Sequence, residues 1–263
     1  MLEQRLLSRQ EIPFSREDLT EKITRQPFAG RDGIRMLFLP SHLTEDNADE
    51  VCYVYRQIMD TSYDTVLIVE PGKDKWEKKI PVFPGSSVVT AFGSVPVDEK
   101  LRDDLCDEED DFFIRDVEKK EHPGFYDHVA MLQLVQNDFK VVGLQLTDET
   151  PPIVQELTFV IKEILPFKNA LTIFCCEMPV PYRETFDIMV ESIRHENDTR
   201  LLNMIYSGES KIRGAGVFLA GVMAARHRER EIRFIHQKPA VGSPTKARNL
   251  LTGYAGFPEQ SRS

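Results

Sequence analysis

A chain of 263 residues can bury one large core, and length alone admits one or two domains. With 41% apolar and 29% charged residues the composition is that of an ordinary soluble protein, and a formal net charge of −10 argues against general attraction to DNA or RNA backbones. No apolar run approaches the roughly 18 residues of a membrane span. Met1-Leu2-Glu3-Gln4-Arg5 lacks an apolar signal core, so a cytoplasmic protein with neither membrane nor nucleic acid as partner is expected.

Along the chain, Ser15 followed by Asp18 resembles an N-cap arrangement for a short helix over 16–26, inside a leader occupying residues 1–32. A buried strand over 33–39 then runs into Pro40-Ser41-His42. A histidine at the carboxyl end of a strand lies in the crevice where open α/β sheets keep their sites, and is placed as a first metal ligand or catalytic base would be. Thr44 is expected to cap a helix over 45–59, whose Val51, Val54, Tyr55 and Ile58 share one face. The next buried strand, 65–69, runs into Glu70-Pro71-Gly72-Lys73, so a cation stands where a second histidine ligand would be delivered.

Residues 70–87, rich in lysine, proline and glycine and holding the only tryptophan, Trp76, read as a loop bordering a site. A strand at 88–90 and a helix over 98–105 precede Asp107-Glu108-Glu109-Asp110-Asp111. That run is a solvated loop, because a calcium site needs better spaced oxygen ligands and the usual glycine. Glu121 and His122 stand before a further helix; of His122 and His128, one is expected to face solvent and the other to pack with Tyr126. A strand at 140–146 leads to Thr150-Pro151-Pro152, a strong helix start, with Val154, Leu157, Val160, Ile161 and Ile164 as core face. Then come a buried strand over 170–175, helices over 183–194, 198–206 and 213–229, and a late strand over 232–235. The alternation indicates an α/β domain over 33–257 with helices on both sheet faces, a tail over 258–263 and no internal repeat.

Cys52, Cys106, Cys175 and Cys176 form no Cys-x-x-Cys pair and show no zinc-type spacing, so they read as reduced thiols, the adjacent pair as small strand residues. There is no Gly-x-Ser-x-Gly elbow, phosphate-binding Gly-x-x-x-x-Gly-Lys loop or His-Glu-x-x-His helix. Gly214-Ala215-Gly216 is too short for a dinucleotide fingerprint and suits close helix packing. His195, His227 and His236 have charged or strand-like flanks, and no motif touches them. Arg213, opening a helix against the positive end of its dipole, hints at a carboxylate partner or a bound anion.

An ordered series of short motifs carries a resemblance. Pro40-Ser41-His42, Glu70-Pro71-Gly72-Lys73, Thr90-Ala91-Phe92-Gly93-Ser94-Val95-Pro96-Val97-Asp98, Glu121-His122, Cys176-Glu177-Met178-Pro179-Val180 and Arg213-Gly214 follow one another, ending in Gly253-Tyr254-Ala255. In this order and spacing the chain resembles the Memo family. The family's counterparts are Pro-x-His, Gly-Pro-x-His, Thr-Pro-Leu-Gly-x-Val-x-Val-Asp, Glu-His, Ser-Asp-x-x-His and Cys-Gly. The resemblance implies a single α/β/α sandwich with a mixed, largely parallel central sheet, similar to the class III extradiol dioxygenases. It also implies a cleft where residues 40–42, 70–73, 176–182 and 213–214 converge. Bacterial relatives, the protein B type of the AmmeMemoRadiSam system, often accompany a radical SAM protein.

The family's metal residues are the histidines of the first two motifs and the cysteine of the last. Of these, the resemblance leaves only His42, with Lys73 at the second histidine, Arg213 at the cysteine and Val180 where the family's Ser-Asp-x-x-His turn has its histidine. Neither an ammonium nor a guanidinium can ligate at neutral pH. The expectation is therefore no metal and no cofactor. The cleft residues would be His42, Lys73, Glu177 and Arg213, with His122 beside them, forming a binding surface for a small anion, peptide or protein partner. The rival is a metal-dependent redox or dioxygenase-like enzyme with a ligand set rebuilt from His42, His122 and Glu177. A third reading is a structural subunit whose former site is filled by a Lys73, Glu177 and Arg213 charge cluster.

Overall fold

The computed structural model describes residues 12–29, 32–72, 77–106, 111–115, 123–236 and 248–258. In chain order they form α1 (Arg16–Arg25), β1 (Met36–Leu39), α2 (Ala48–Arg56), β2 (Thr65–Pro71), β3 (Ile80–Val82), β4 (Ser87–Thr90), β5 (Gly93–Pro96), α3 (Glu99–Leu105), β6 (Phe112–Ile114) and α4 (Pro123–Val135). There follow β7 (Lys140–Leu146), α5 (Pro151–Phe167), β8 (Ala170–Cys175), a 3-10 turn (Val180–Tyr182), α6 (Arg183–Arg194), α7 (Asp198–Tyr206), α8 (Ala215–His227), β9 (Glu231–Phe234) and β10 (Gly253–Gly256).

Eight strands form one sheet in the order β6-β3-β7-β2-β8-β1-β10-β9, and β4 and β5 make a separate hairpin. Strands β7, β2, β8 and β1 are mutually parallel. The antiparallel joins β3 to β7, β1 to β10 and β10 to β9 make the sheet mixed, as expected. The central strands are buried on both faces, and their side chains divide by the period of two. Met36, Phe38, Leu67, Val69 and Phe174 join a core with α5 to α8, while Leu37, Leu39, Val66, Ile68 and Ile173 join a second core with α1, α2 and α4. This is an α/β/α sandwich. Among the described residues no helix is long and apolar enough to cross a membrane.

Ser15 caps α1, its hydroxyl accepting from the Asp18 N–H at 3.1 Å, and Leu19 and Ile23 of that helix are buried in the second core. Helix α8 lies close on the sheet through small residues: a Cβ on Gly221 would stand 2.6 Å from the Phe38 ring, and one on Gly216 2.9 Å from Leu146 Cδ2. That contact is the packing role expected of Gly214-Ala215-Gly216.

Several boundaries differ from expectation. Thr44 does not cap α2; its N–H donates to Asn47 Oδ1 at 2.9 Å, and the helix begins at Ala48. The segment read as a loop over 70–87 contains β3, because Ile80-Pro81-Val82 is short enough to pair beside β7 and β6 despite its proline. Helix α8 starts two residues later than expected: Gly214 adopts the left-handed conformation, φ 73°, so Arg213 lies before the helix. The Asp107 run and Trp76 lie outside the described residues, apart from Asp111, whose backbone carbonyl accepts from Ile80.

The late segment 248–252 is held by one buried side chain of α2. Glu50, 1% exposed, accepts from the backbone N–H groups of Arg248 and, at 3.3 Å, Asn249, and from the Thr252 hydroxyl at 3.3 Å. His236 Nε2 stands 3.5 Å from Glu50 Oε1, close but without hydrogen-bond alignment. Asn249 passes the anchorage on, its Oδ1 accepting from the Met178 N–H and its Nδ2 donating to the Cys176 carbonyl, each at 2.9 Å. The chain beyond β8 is thereby fixed in place.

Candidate functional site at the strand ends

The carboxyl ends of β1, β2 and β8 lie side by side, and the chain leaving each of them meets the others. From β1, the Ser41 N–H donates to Glu177 Oε1 at 3.0 Å. Glu177, leaving β8, exchanges two backbone hydrogen bonds with Arg213, 3.0 Å from its N–H and 2.9 Å to its carbonyl. Their side chains form an ion pair at 3.6 Å, with Arg213 49% and Glu177 29% exposed. From β2, Pro71 packs beneath Gly214, where a Cβ would stand 3.3 Å from Pro71 Cγ and 2.8 Å from the Cys175 carbonyl oxygen. The Pro40-Ser41-His42 turn, Glu177 and Arg213 are thus one neighbourhood. Lys73 and His122 lie outside the described residues.

His42 is half-buried; its carbonyl accepts from Asn47 Nδ2 at 2.8 Å, and among the described residues nothing hydrogen-bonds its ring. The buried Ser41 hydroxyl beside it has no partner among the described residues either. No group of three His, Cys, Asp or Glu side chains is arranged to hold a metal ion among the described residues.

Beneath this surface lies a buried polar layer that no local sequence pattern announces as a whole. Glu70, the acid ending the apolar run of β2, is buried against the first turn of α4: a Cβ on Gly124 would stand 2.7 Å from Glu70 Oε2 and 2.5 Å from the Ser41 carbonyl oxygen. A carboxylate there meets the positive end of the helix dipole. Gln145 Nε2 also approaches Glu70 Oε1, at 3.4 Å. Asp127 Oδ2 accepts from the Leu43 N–H at 3.0 Å, and burial, with Glu70 adding to it, raises the Asp127 pKa to about 6.

His128 is fully buried and pairs with Tyr55, not Tyr126. Its Nε2 lies 2.9 Å from the Pro40 carbonyl and its Nδ1 3.0 Å from the Tyr55 hydroxyl. A carbonyl can only accept, so Nε2 carries the proton and the tyrosine donates to Nδ1. Burial lowers the His128 pKa to about 4, so at neutral pH the ring is an uncharged strut holding the Pro40 turn. Cys175 and Cys176 are buried free thiols, and burial raises both pKa values well above the usual range. They suit packing, as expected.

The family model described as Memo-like protein matches residues 17–255, from α1 to β10. The chain belongs to the Memo-like family. A MEMO1 family protein of Thermotoga neapolitana is 30% identical over 114 residues, 41% of this chain, and the match spans only 39% of that relative's length. The crystal structure of an uncharacterized protein from Escherichia coli K12 aligns with a TM-score of 0.47 at 12% identity, covering 84% of this Memo-like chain and 98% of that one.

Because Gly214 needs a positive φ and its α-hydrogen side faces the Cys175 carbonyl, Gly214→Ala is expected to cost about 1–3 kcal/mol. Urea unfolding would read this as a lower midpoint at unchanged slope. An unchanged midpoint would show that the loop accommodates the methyl group elsewhere.

Proposed function

We propose that this Memo-like protein is a non-catalytic binding or accessory protein whose strand-end cleft takes an anionic group, the carboxylate or phosphate of a small molecule or of a peptide or protein partner. The observation that carries this reading is the state of Arg213. It occupies the position at which the family resemblance puts a thiolate ligand, is half exposed, and among the described residues has a single ion contact, with Glu177 at 3.6 Å. That separation is longer than a good charge-assisted hydrogen bond, which leaves most of the guanidinium fork for an incoming oxyanion. His42, with no hydrogen bond to its ring among the described residues, is available to add one. Glu177, tied to the Ser41 N–H, is the internal competitor.

Thermal melts with phosphate, sulfate and dicarboxylates test it. Stabilisation should saturate with ligand, reaching about 2.7 kcal/mol at a hundredfold excess over Kd. It should vanish in Arg213→Ala and appear at lower concentration in Glu177→Gln. An equal shift in the wild type and Arg213→Ala would overturn the anion reading. Metal analysis of protein purified without chelator or affinity tag is the companion experiment: stoichiometric iron, copper or zinc that disappears in His42→Ala would favour an enzyme instead.

A further inference from the structure

At the other end of β1 from the strand-end cleft, a cavity of about 470 Å³ opens between the carboxyl ends of α6 and α8 and the sheet-edge strand β9. Arg194, Arg226, Arg230 and Arg233 line it, against Glu196 and Glu231 among the described residues. Four arginines around one cavity are notable in a chain with 43 acidic and 33 basic residues.

Three of the four have carboxylate partners: Arg194 pairs with Glu191, Arg226 with Asp198, and Arg233 with Glu231 at 3.2 Å. Arg230 has none among the described residues. Its Nη1 donates to the Gly33 carbonyl at 2.6 Å, its Nε is buried with no partner among the described residues, and its guanidinium lies 3.9 Å from the Phe257 ring centroid. The group is therefore held in one orientation by a carbonyl and an aromatic face. Two more arginines that have no carboxylate partner among the described residues adjoin it. Arg35 donates to the Asn169 side chain and the Ala170 carbonyl, and Arg228 to the Lys162 carbonyl at 2.6 Å. Burial and these two neighbours lower the Arg230 pKa, a sign that the three charges repel one another. A preorganised guanidinium with uncompensated positive neighbours suits an oxyanion. Ile193 and Phe234 also line the cavity, an apolar contribution that suits an organic body.

We propose that this cavity is a second ligand site, for a small phosphate monoester whose phosphate meets Arg230 and whose apolar body rests on Ile193 and Phe234. The competing account is that the arginines only neutralise the negative carboxyl ends of α6 and α8.

Titration calorimetry of the full chain with phenyl phosphate, inorganic phosphate and phenol distinguishes them. Phenyl phosphate should bind saturably, inorganic phosphate at least fivefold more weakly, and phenol not at all. Arg230→Gln should weaken phenyl phosphate binding at least tenfold. Glu196→Gln, an exposed change at the cavity wall, should tighten it two- to fivefold. Because the strand-end cleft is itself proposed to take phosphate, the titrations are repeated in Arg213→Ala, where the Arg230-dependent binding should be unchanged; failure here and failure at the strand-end cleft are thereby separable. No saturable heat with phenyl phosphate, or equal affinity in the wild type and Glu196→Gln, would overturn the proposal in favour of helix-end neutralisation. Loss of binding in Arg213→Ala with retention in Arg230→Gln would place the anion at the other cleft and overturn it as well.

Discussion

Glu50→Ala should lower the unfolding free energy by about 3–5 kcal/mol, the cost of leaving two buried donors and the part-buried Arg248 N–H without their charged acceptor. The two backbone N–H groups and one hydroxyl that Glu50 satisfies lie in residues 248–252. Through Asn249 these residues fix the chain that carries Glu177. The loss should therefore be felt at the strand-end cleft as well as in stability. Urea unfolding would measure the first effect, and hydrogen exchange at the Met178 and Leu250 amides the second, with protection falling further there than at the β2 amides. Glu50→Gln keeps an acceptor and should cost less. If Glu50→Ala loses under 1 kcal/mol, the late segment is held by other contacts.

The acid response should be shaped by two adjacent residues of opposite tendency. His128 takes a proton near pH 4 in the folded chain, against 6.5 in the unfolded. As pH falls through that window the unfolded state binds the proton first, and stability drops by up to about 3 kcal/mol. Asp127 is raised from 3.8 to about 6, so over nearly the same window the folded state binds its proton first and stability rises by a similar amount. The two contributions nearly cancel between pH 6 and 4. Asp127→Asn, which keeps an oxygen for the Leu43 N–H, should uncover the histidine and give a steep acid loss. His128→Gln should uncover the aspartate and give a chain more stable at pH 5 than at pH 7. Parallel stability profiles for Asp127→Asn and the wild type from pH 7 to 4 would refute the pairing.

How far the sequence revealed these features depended on how local their causes are. Strands β7 and β8 and helices α6 and α7 match the expected residues, because continuous apolar runs and helical spacing are written in neighbouring positions. Strands β3, β5, β6 and β10 are absent from the expectation. Each is three or four residues long, and Gly253-Tyr254-Ala255-Gly256 has little strand propensity of its own. A glycine is required there because a Cβ on Gly253 would stand 2.2 Å from the Arg233 carbonyl oxygen, a constraint set by a partner twenty residues away. At the site, His42, Glu177 and Arg213 were visible because each leaves a strand or nears a helix start. Glu70 carries the same signal, an acid closing a buried run, but Lys73 three residues later is the more conspicuous departure from the family pattern. Asp127 and His128 could not have been read as a buried pair, since their partners Leu43, Tyr55 and Pro40 come from two other elements.

The pairing between Glu177 and Arg213 bears on how such a site can change. Both hydrogen bonds that join the two segments are made by main-chain atoms. Any residue except proline could supply them at 213, and the left-handed turn that follows belongs to Gly214. The backbone socket and the side chain it presents are therefore separable: a thiol, an amide or a guanidinium could occupy position 213 over the same path of the chain. Within such an architecture, reactivity can be exchanged by one substitution while the fold stays indifferent to it.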